Sequence, residues 1–264
     1  MSARAERAPA AAGLLRRGWT SFAGAVTFLT ITPLPAVPSR PDDLDLADAV
    51  VWFPLVGAAI GAFAGALRLV CQPLFGRGLS TALAMIGLVV ICGALHQDAL
   101  ADSADGLGVR GDRARRLAVM RDSSTGAFGV LALIGWALLL FTSLTSLRSD
   151  QALRALIAAG AAGRLAALMH ASGTAPARLD GLGAALCVKR SALAIAVVFG
   201  AAIAIAAVGP VRGTACLGVC GLVSALSAAF ARRALGGSTG DTIGATVAVT
   251  EVAVCLALVS TWRS

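Results

Sequence analysis

The stretch Gly126-Ala-Phe-Gly-Val-Leu-Ala-Leu-Ile-Gly-Trp-Ala-Leu-Leu-Leu-Phe-Thr-Ser-Leu-Thr-Ser-Leu147 contains no charged side chain. Coiled as a helix at about 1.5 Å per residue, it is long enough to cross the ~30 Å hydrocarbon core of a bilayer. Comparable runs recur on both sides of it, at roughly 50–70, 80–98, 153–172, 193–210, 214–231 and 243–262, with short polar loops between them. This predicts an all-α fold: a polytopic membrane bundle of about seven transmembrane helices, one domain over 1–264. No solenoid-type repeat interrupts it. Trp19 to Ile31 is apolar but short for a span, which predicts an interfacial or re-entrant helix behind a basic segment, 1–19, carrying Arg4, Arg7, Arg16 and Arg17. The stretch runs into Thr32-Pro33-Leu34-Pro35 without a small-residue cleavage site, so it is expected to be retained.

Composition agrees: 58% of the 264 residues are hydrophobic and 14% charged, where a soluble domain carries about 25% charged residues. Mean hydropathy is +0.83. The net charge of +8 would suggest nucleic acid in a soluble protein. Here the arginines lie in loops between apolar runs, where they orient the chain and meet anionic lipid; no nucleic-acid partner is expected. The cysteines (Cys71, Cys92, Cys187, Cys216, Cys220, Cys255) show no metal-ligand rhythm and read as small apolar residues.

Seven spans make the connections alternate. Fifteen Lys and Arg then fall on the side holding residues 1–19, 33–49, 101–125, 173–192 and 232–242, against five on the other. The positive-inside rule makes the first side cytoplasmic. Asp98, Asp102, Asp105, Asp122, Arg178 and Asp241 all belong to that side.

His96-Gln97-Asp98-Ala99-Leu100-Ala101-Asp102-Ser103-Ala104-Asp105-Gly106 places three aspartates at i, i+4 and i+7. On a helix these fall within about 60° of one another. Unpaired anions on one stripe at a membrane boundary repel each other, and a divalent cation relieves that cost. All-oxygen ligands suit Mg²⁺, Mn²⁺ or Ca²⁺ rather than zinc, and such an ion commonly bridges a diphosphate. The alternative is a solvated helix end paired with the arginines that follow.

Met120-Arg121-Asp122-Ser123-Ser124-Thr125-Gly126-Ala127-Phe128-Gly129 enters the quoted span; Asp122 is read either as the cap of that helix or as a metal ligand or general base. Gly236-Gly237-Ser238-Thr239-Gly240-Asp241-Thr242 is a second loop meeting a helix start, read as a phosphate cradle or as a plain N-cap, and without a P-loop lysine. Glu251 lies deeper in the same apolar run, where an acid calls for a partner such as Arg164. Arg178 is read as a phosphate clamp or a headgroup anchor. His96 and His170 read as satisfied histidines rather than catalysts.

Taken together, Asp98-Ala-Leu-Ala-Asp102-Ser-Ala-Asp105-Gly106-Leu107, Met120-Arg121-Asp122-Ser123 with Gly126-Ala127-Phe128-Gly129, and Ser238-Thr239-Gly240-Asp241-Thr242 with Glu251 resemble the adenosylcobinamide-GDP ribazoletransferase (cobalamin synthase) family. Phe28-Leu29-Thr30 and Trp52-Phe53-Pro54-Leu55-Val56-Gly57 add to the likeness, which covers nearly the whole chain. The motif start departs from it, reading His96-Gln97-Asp98-Ala99 where the family usually has His-Leu-Asp-Gly.

The resemblance implies a multi-pass enzyme of the bacterial cytoplasmic membrane that uses Mg²⁺ to join adenosylcobinamide-GDP to α-ribazole or its 5′-phosphate, releasing GMP toward the cytoplasm. It implies Asp98, Asp102, Asp105, Asp122 and Asp241 as the metal-ligand set, and Asp102, Asp105 and Asp122 as catalytic. It implies Arg178, Ser238, Thr239 and Gly240 as substrate-binding. Membrane lipid is an expected partner, and a homo-oligomer stays open. Two other classes stay open too: a CDP-alcohol phosphotransferase, whose motif Gly106-Leu-Gly-Val-Arg110 and lone Asp122 do not match, and an ion-coupled transporter using Glu251.

Overall fold

Apolar runs in lipid must satisfy their backbone polar groups internally, and they do so here as helices. The computed structural model describes residues 7–34, 46–178, 180–186 and 188–263. Arg4, Pro35, Arg40, Leu179 and Cys187 therefore lie outside the described residues. The elements are α1 (Arg7–Leu29), α2 (Leu46–Ala49) with a 3₁₀ turn (Val50–Trp52), α3 (Phe53–Ile91), α4 (Leu95–Gly108), α5 (Arg113–Val119), α6 (Ala127–Ser146), α7 (Ser149–Ser172), α8 (Leu182–Ala185), α9 (Arg190–Val208), α10 (Pro210–Leu235) and α11 (Gly240–Arg263). Among the described residues there is no strand, only an isolated bridge between Pro176 and Ser238.

Six helical stretches are long and apolar enough to cross a membrane: Leu46–Ile91, Ala127–Ser146, Ser149–Ser172, Arg190–Val208, Pro210–Leu235 and Gly240–Trp262. The expectation was about seven, and the difference lies in α3. The backbone leaves helical geometry at Gly76 (φ 70°, ψ 179°), three residues after Pro73. In a straight helix residues 67 and 87 would lie ~30 Å apart. Yet a Cβ on Gly87 would sit 2.8 Å from the Leu67 side chain. The chain therefore reverses at Gly76, and the predicted runs 50–70 and 80–98 are the two arms of a hairpin. Buried Arg68 ties the arms together through Nε to Thr81 Oγ1 (2.9 Å) and reaches the Leu147 carbonyl at the end of α6 (3.1 Å).

The second arm ends at Ile91 instead of running on to residue 98. Gly93 N donates to Val90 O and Ala94 N to Val89 O, a Schellman stop with Gly93 at φ 57°. Ala94 is also left-handed (φ 59°), and α4 starts beyond it as a separate helix. The N-terminal helix is longer than its apolar stretch, because the alanine-rich segment before Trp19 continues the coil. It packs at Phe22 against Trp52 and at Phe28 against Phe53.

Helix α7 is the hub, buried on nearly every side and touching α3, α9, α10 and α11. Its closest neighbour is the first arm of α3, where Gly57, Gly61 and Gly65 recur every fourth residue. A Cβ on Gly61 would lie 2.0 Å from Leu156 O, and one on Gly57 2.2 Å from Gly160 O. Only hydrogens fit between these backbones, the small-residue packing by which helices associate in lipid. Gly61→Val is therefore expected to prevent accumulation of folded protein, read as loss of the monodisperse peak in detergent size-exclusion chromatography. A normal peak would show that α3 and α7 can separate at no cost. Around this core Leu131, Val198, Leu226 and Phe230 remain exposed, as a lipid-facing surface requires.

Candidate active site

The acidic motif occupies α4, which packs against α6 and α11 and is not one of the spans. Along its stripe exposure falls: Asp98 is exposed, Asp102 half-buried and Asp105 buried. The three share a face as expected, but they have different surroundings.

Asp105 Oδ2 accepts from Gly126 N (2.7 Å) and Oδ1 from Gly129 N (2.9 Å), so both oxygens satisfy free N–H groups at the start of α6. This is the cap that the sequence reading gave to Asp122. It also explains the Gly-Ala-Phe-Gly spacing, since a Cβ on Gly126 or Gly129 would fall 2.5 or 2.4 Å from an Asp105 oxygen. Asp122 instead accepts from Ser124 N and Ser124 Oγ in an exposed turn, and those bonds hold its carboxyl below the usual range. Removing the buried cap by Asp105→Ala is expected to cost about 1–3 kcal/mol, measured by thermal unfolding in detergent. An unchanged melting temperature would mean that α6 docks without it.

Asp102 feels Asp98, Asp241 and Asp105. Desolvation first, and then those three charges in that order, push its pKa from 3.8 up to about 6. Asp241 comes from the first turn of α11, and Arg178 Nη2 meets its Oδ2 at 3.3 Å. Arg178, Ser238, Thr239 and Gly240, the predicted binding residues, all line one polar cavity of about 190 Å³ with Asp241. Thr239 and Thr242 cap α11 reciprocally: Thr242 N donates to Thr239 Oγ1 (3.2 Å) and Thr239 N to Thr242 Oγ1 (2.9 Å). The loop is thus an N-cap whose edge borders the cavity. Ser238 N donates to Ala175 O and Ala177 N to Ser238 O, stitching the Arg178 loop to α11. Gly237 permits that approach, for a Cβ there would sit 2.4 Å from Ala175 O.

Deeper in, Arg164 Nη1 pairs with Glu251 Oε1, as the isolated acid required, and Arg164 Nη2 lies 3.5 Å from Cys92 Sγ. His170 Nδ1 is 2.8 Å from Thr246 Oγ1, a satisfied interior histidine on one side of its ring. His96 is different. It is 4% exposed, and neither ring nitrogen has a hydrogen-bond partner among the described residues. Burial, and next the charge of Arg164, push its pKa well below the ordinary value and keep the ring neutral. Sequence reasoning set it aside; its place beside Asp98 was the available signal.

Among the described residues no three His, Cys, Asp or Glu side chains form a ready metal cage. Magnesium does not need one, because it usually takes one or two carboxylates and completes its shell with water and substrate phosphate. Asp102 on α4 with Asp241 on α11 fits that count, Asp98 standing beside them; burial first, and then the neighbouring carboxylates, raise the proton affinity of Asp102.

Fold and site together define a polytopic, all-α membrane protein with an acid-lined site on α4 and the start of α11. The family model described as Cobalamin-5-phosphate synthase matches residues 21–259, and the chain belongs to that family. Three relatives are each named adenosylcobinamide-GDP ribazoletransferase. The one from Mesorhizobium japonicum is 39% identical, covering 88% of this chain and 89% of its own. The Klebsiella pneumoniae relative is 37% identical over 90% and 98% of the two chains, and that of Geotalea daltonii 34% over 89% and 95%. No solved structure matches. The chain is accordingly a membrane-embedded transferase of cobalamin biosynthesis.

Proposed function

We propose that this chain joins adenosylcobinamide-GDP to α-ribazole or its 5′-phosphate, releasing GMP, with Mg²⁺ and on the cytoplasmic face of a bacterial cytoplasmic membrane. The observation that carries the reading is the meeting of Asp98 and Asp102 with Asp241 and Arg178 beside the capped start of α11. Asp102 and Asp241, one from each helix, would hold the ion with Asp98 beside them; bound there, Mg²⁺ would supply neutralisation of diphosphate charge. Arg178, already half turned toward an anion in its bond to Asp241, offers its remaining guanidinium donors to phosphate oxygens. The first N–H groups of α11 add donors at the same edge. Asp105 keeps α6 and the Asp122 loop in register with α4.

The acceptor hydroxyl attacks the corrinoid-side phosphorus, a new P–O bond forms as the diphosphate P–O bond breaks, and GMP leaves with that oxygen. The hydroxyl proton passes to a carboxylate, to which we assign Asp122, an exposed acid on the loop that leads into α6 and ionised near neutral pH. The names of the relatives support the substrates, and the loop arginines support the orientation.

The test is to supply membranes containing this chain with GDP-cobinamide, α-ribazole and Mg²⁺ and to follow GMP and a cobalamin product. Product that requires Mg²⁺ supports the reading. Release of CMP from CDP-diacylglycerol, or solute uptake without chemical product, would overturn it.

A further inference from the structure

Helix α10 has 26 residues. That makes about 39 Å of coil against a hydrocarbon core of about 30 Å, so its last turn stands at headgroup depth. The turn carries Arg232 and Arg233, and the two have different surroundings. Arg232 Nη1 reaches Gly173 O (3.2 Å) and Thr174 Oγ1 (3.3 Å). Exposed Arg233 lines a cavity of about 540 Å³ together with Arg113 and half-buried Arg116 of α5, Phe230 and Ala234. Leu117 and Ala234 pack on a small apolar cluster of Met120, Ala177 and Leu235, which holds α5 against the end of α10.

None of the three cavity arginines is in an ion pair among the described residues. Arg113 donates to Ala177 O, and Arg116 to Leu107 O (3.0 Å) and Gly111 O (3.4 Å), all uncharged carbonyls. Arg233 has no hydrogen-bond partner among the described residues. Asp112, the one acid in the stretch 110–121, caps α5 by accepting from Arg115 N (2.9 Å). Three cations around one cavity repel each other. Phosphate oxygens supply the missing charge in the paired geometry that guanidinium groups favour. Below the cavity the same face of α10 is apolar: Leu222, Leu226 and Phe230 recur every fourth residue, are 60–62% exposed, and lead to Arg233. From Leu222 to Arg233 the helix rises about 16 Å, close to half of the ~30 Å hydrocarbon core.

We propose that the cavity between α5 and the end of α10 binds the headgroup of an anionic phospholipid, with Arg113, Arg116 and Arg233 around its phosphate and an acyl chain along Phe230, Leu226 and Leu222. Basic pockets at the membrane boundary are suited to such headgroups. This is one defined site, beyond the general attraction of loop arginines to an anionic leaflet. The polar cavity around Arg178 shares none of its lining residues, so the site is separate from the proposed reaction. A free phosphate would use the arginines and leave the apolar track empty; a phospholipid uses both. A choline headgroup would bring a cation of its own to the three arginines, so a net negative headgroup such as phosphatidylglycerol is preferred.

The experiment titrates the full chain in detergent with phosphatidylglycerol or with phosphatidylcholine of the same acyl chains, and counts retained lipid by native mass spectrometry. Wild type is expected to hold one phosphatidylglycerol with at least about 10-fold preference over phosphatidylcholine. Arg233→Gln alters a side chain that no described residue leans on for a hydrogen bond, and is expected to weaken phosphatidylglycerol about 5-fold or more. Arg154→Gln removes an equal charge from an exposed position on α7 and is expected to leave binding within about twofold. Soluble glycerol phosphate, a headgroup without tails, is expected to displace the lipid only at about 100-fold higher concentration or more. Equal retention of the two lipids, or equal effects of Arg233→Gln and Arg154→Gln, overturns the site. Displacement by glycerol phosphate at the lipid's own concentration makes it a free-phosphate site and overturns the lipid assignment. So does displacement by GDP together with weaker GDP binding in Arg233→Gln, which would give the cavity to the nucleotide.

Discussion

Asp102→Asn is expected to slow turnover about 10²–10³-fold and, in the same preparation, to raise the melting temperature of the metal-free protein. Both effects have one origin. Asp102 is half-buried on α4 among Asp98, Asp241 and Asp105, and its carboxyl holds a proton up to about pH 6 rather than 3.8. A folded-state pKa above the unfolded one means that the ionised folded form is disfavoured. The destabilisation is complete above pH 6 and is relieved as pH falls from about 6 toward 4. Metal-free wild type should therefore melt higher at pH 5 than at pH 7.5 as far as this group contributes, and Asp102→Asn should remove that contribution by making the site permanently neutral there. Adding Mg²⁺ at pH 7.5 should stabilise wild type and leave Asp102→Asn nearly unmoved. Loss of a group that stabilises charge on a phosphoryl group in flight typically slows the chemical step by about 10²–10³-fold. Asp122→Asn, by contrast, should lose turnover while keeping the Mg²⁺-dependent rise in melting temperature. An Asp102→Asn protein with full turnover, or with a lower melting temperature at pH 7.5, would remove Asp102 from the ion site.

The contrast between Asp102 and Asp105 shows where sequence reading stops. Helical spacing put both on one stripe, and they do share it. What differs is what each oxygen meets, and for Asp105 that is the backbone of residues 126 and 129, brought over by the loop that follows α5. No local pattern states such a pairing, so the cap went to Asp122, the nearest acid to the helix start. The spans were legible because lipid demands apolar length. Their boundaries depended on single residues, Gly76 and Gly93, whose left-handed geometry turns the chain. The Gly57, Gly61, Gly65 stripe was legible in principle from its four-residue spacing, and so was the Arg164 partnership, since an acid and a base isolated in apolar helices have few other partners. His96 reads as a satisfied histidine, its place beside Asp98 the one signal against that; its burial without a partner among the described residues follows from the turn at Gly93 and Ala94, which sets the phase of α4.

Breaking the Arg164–Glu251 pair should cost more stability than removing the Asp105 cap. Both side chains are almost wholly buried, 1% and 3% exposed, on α7 and α11, the helices that hold the hub to the site. Removing one partner of a buried pair strands the other and costs about 3–5 kcal/mol, against a total stability of about 5–15 kcal/mol. The two single variants should differ. After Glu251→Leu the guanidinium keeps its charge, because arginine does not give up its proton in a protein, and among the described residues it retains only the Cys92 thiol as a partner. After Arg164→Met the stranded acid can take up a proton and become neutral, so this variant should be the milder. The double variant Arg164→Met, Glu251→Leu leaves no stranded charge and should recover most of the lost stability, as replacement of a buried pair by apolar residues does elsewhere. Melting temperatures of the four proteins in one detergent close a double-mutant cycle. Additive losses, or equal cost for the two single variants, would mean that water reaches the pair and that the helices are held by the small-residue packing of α3 against α7 alone.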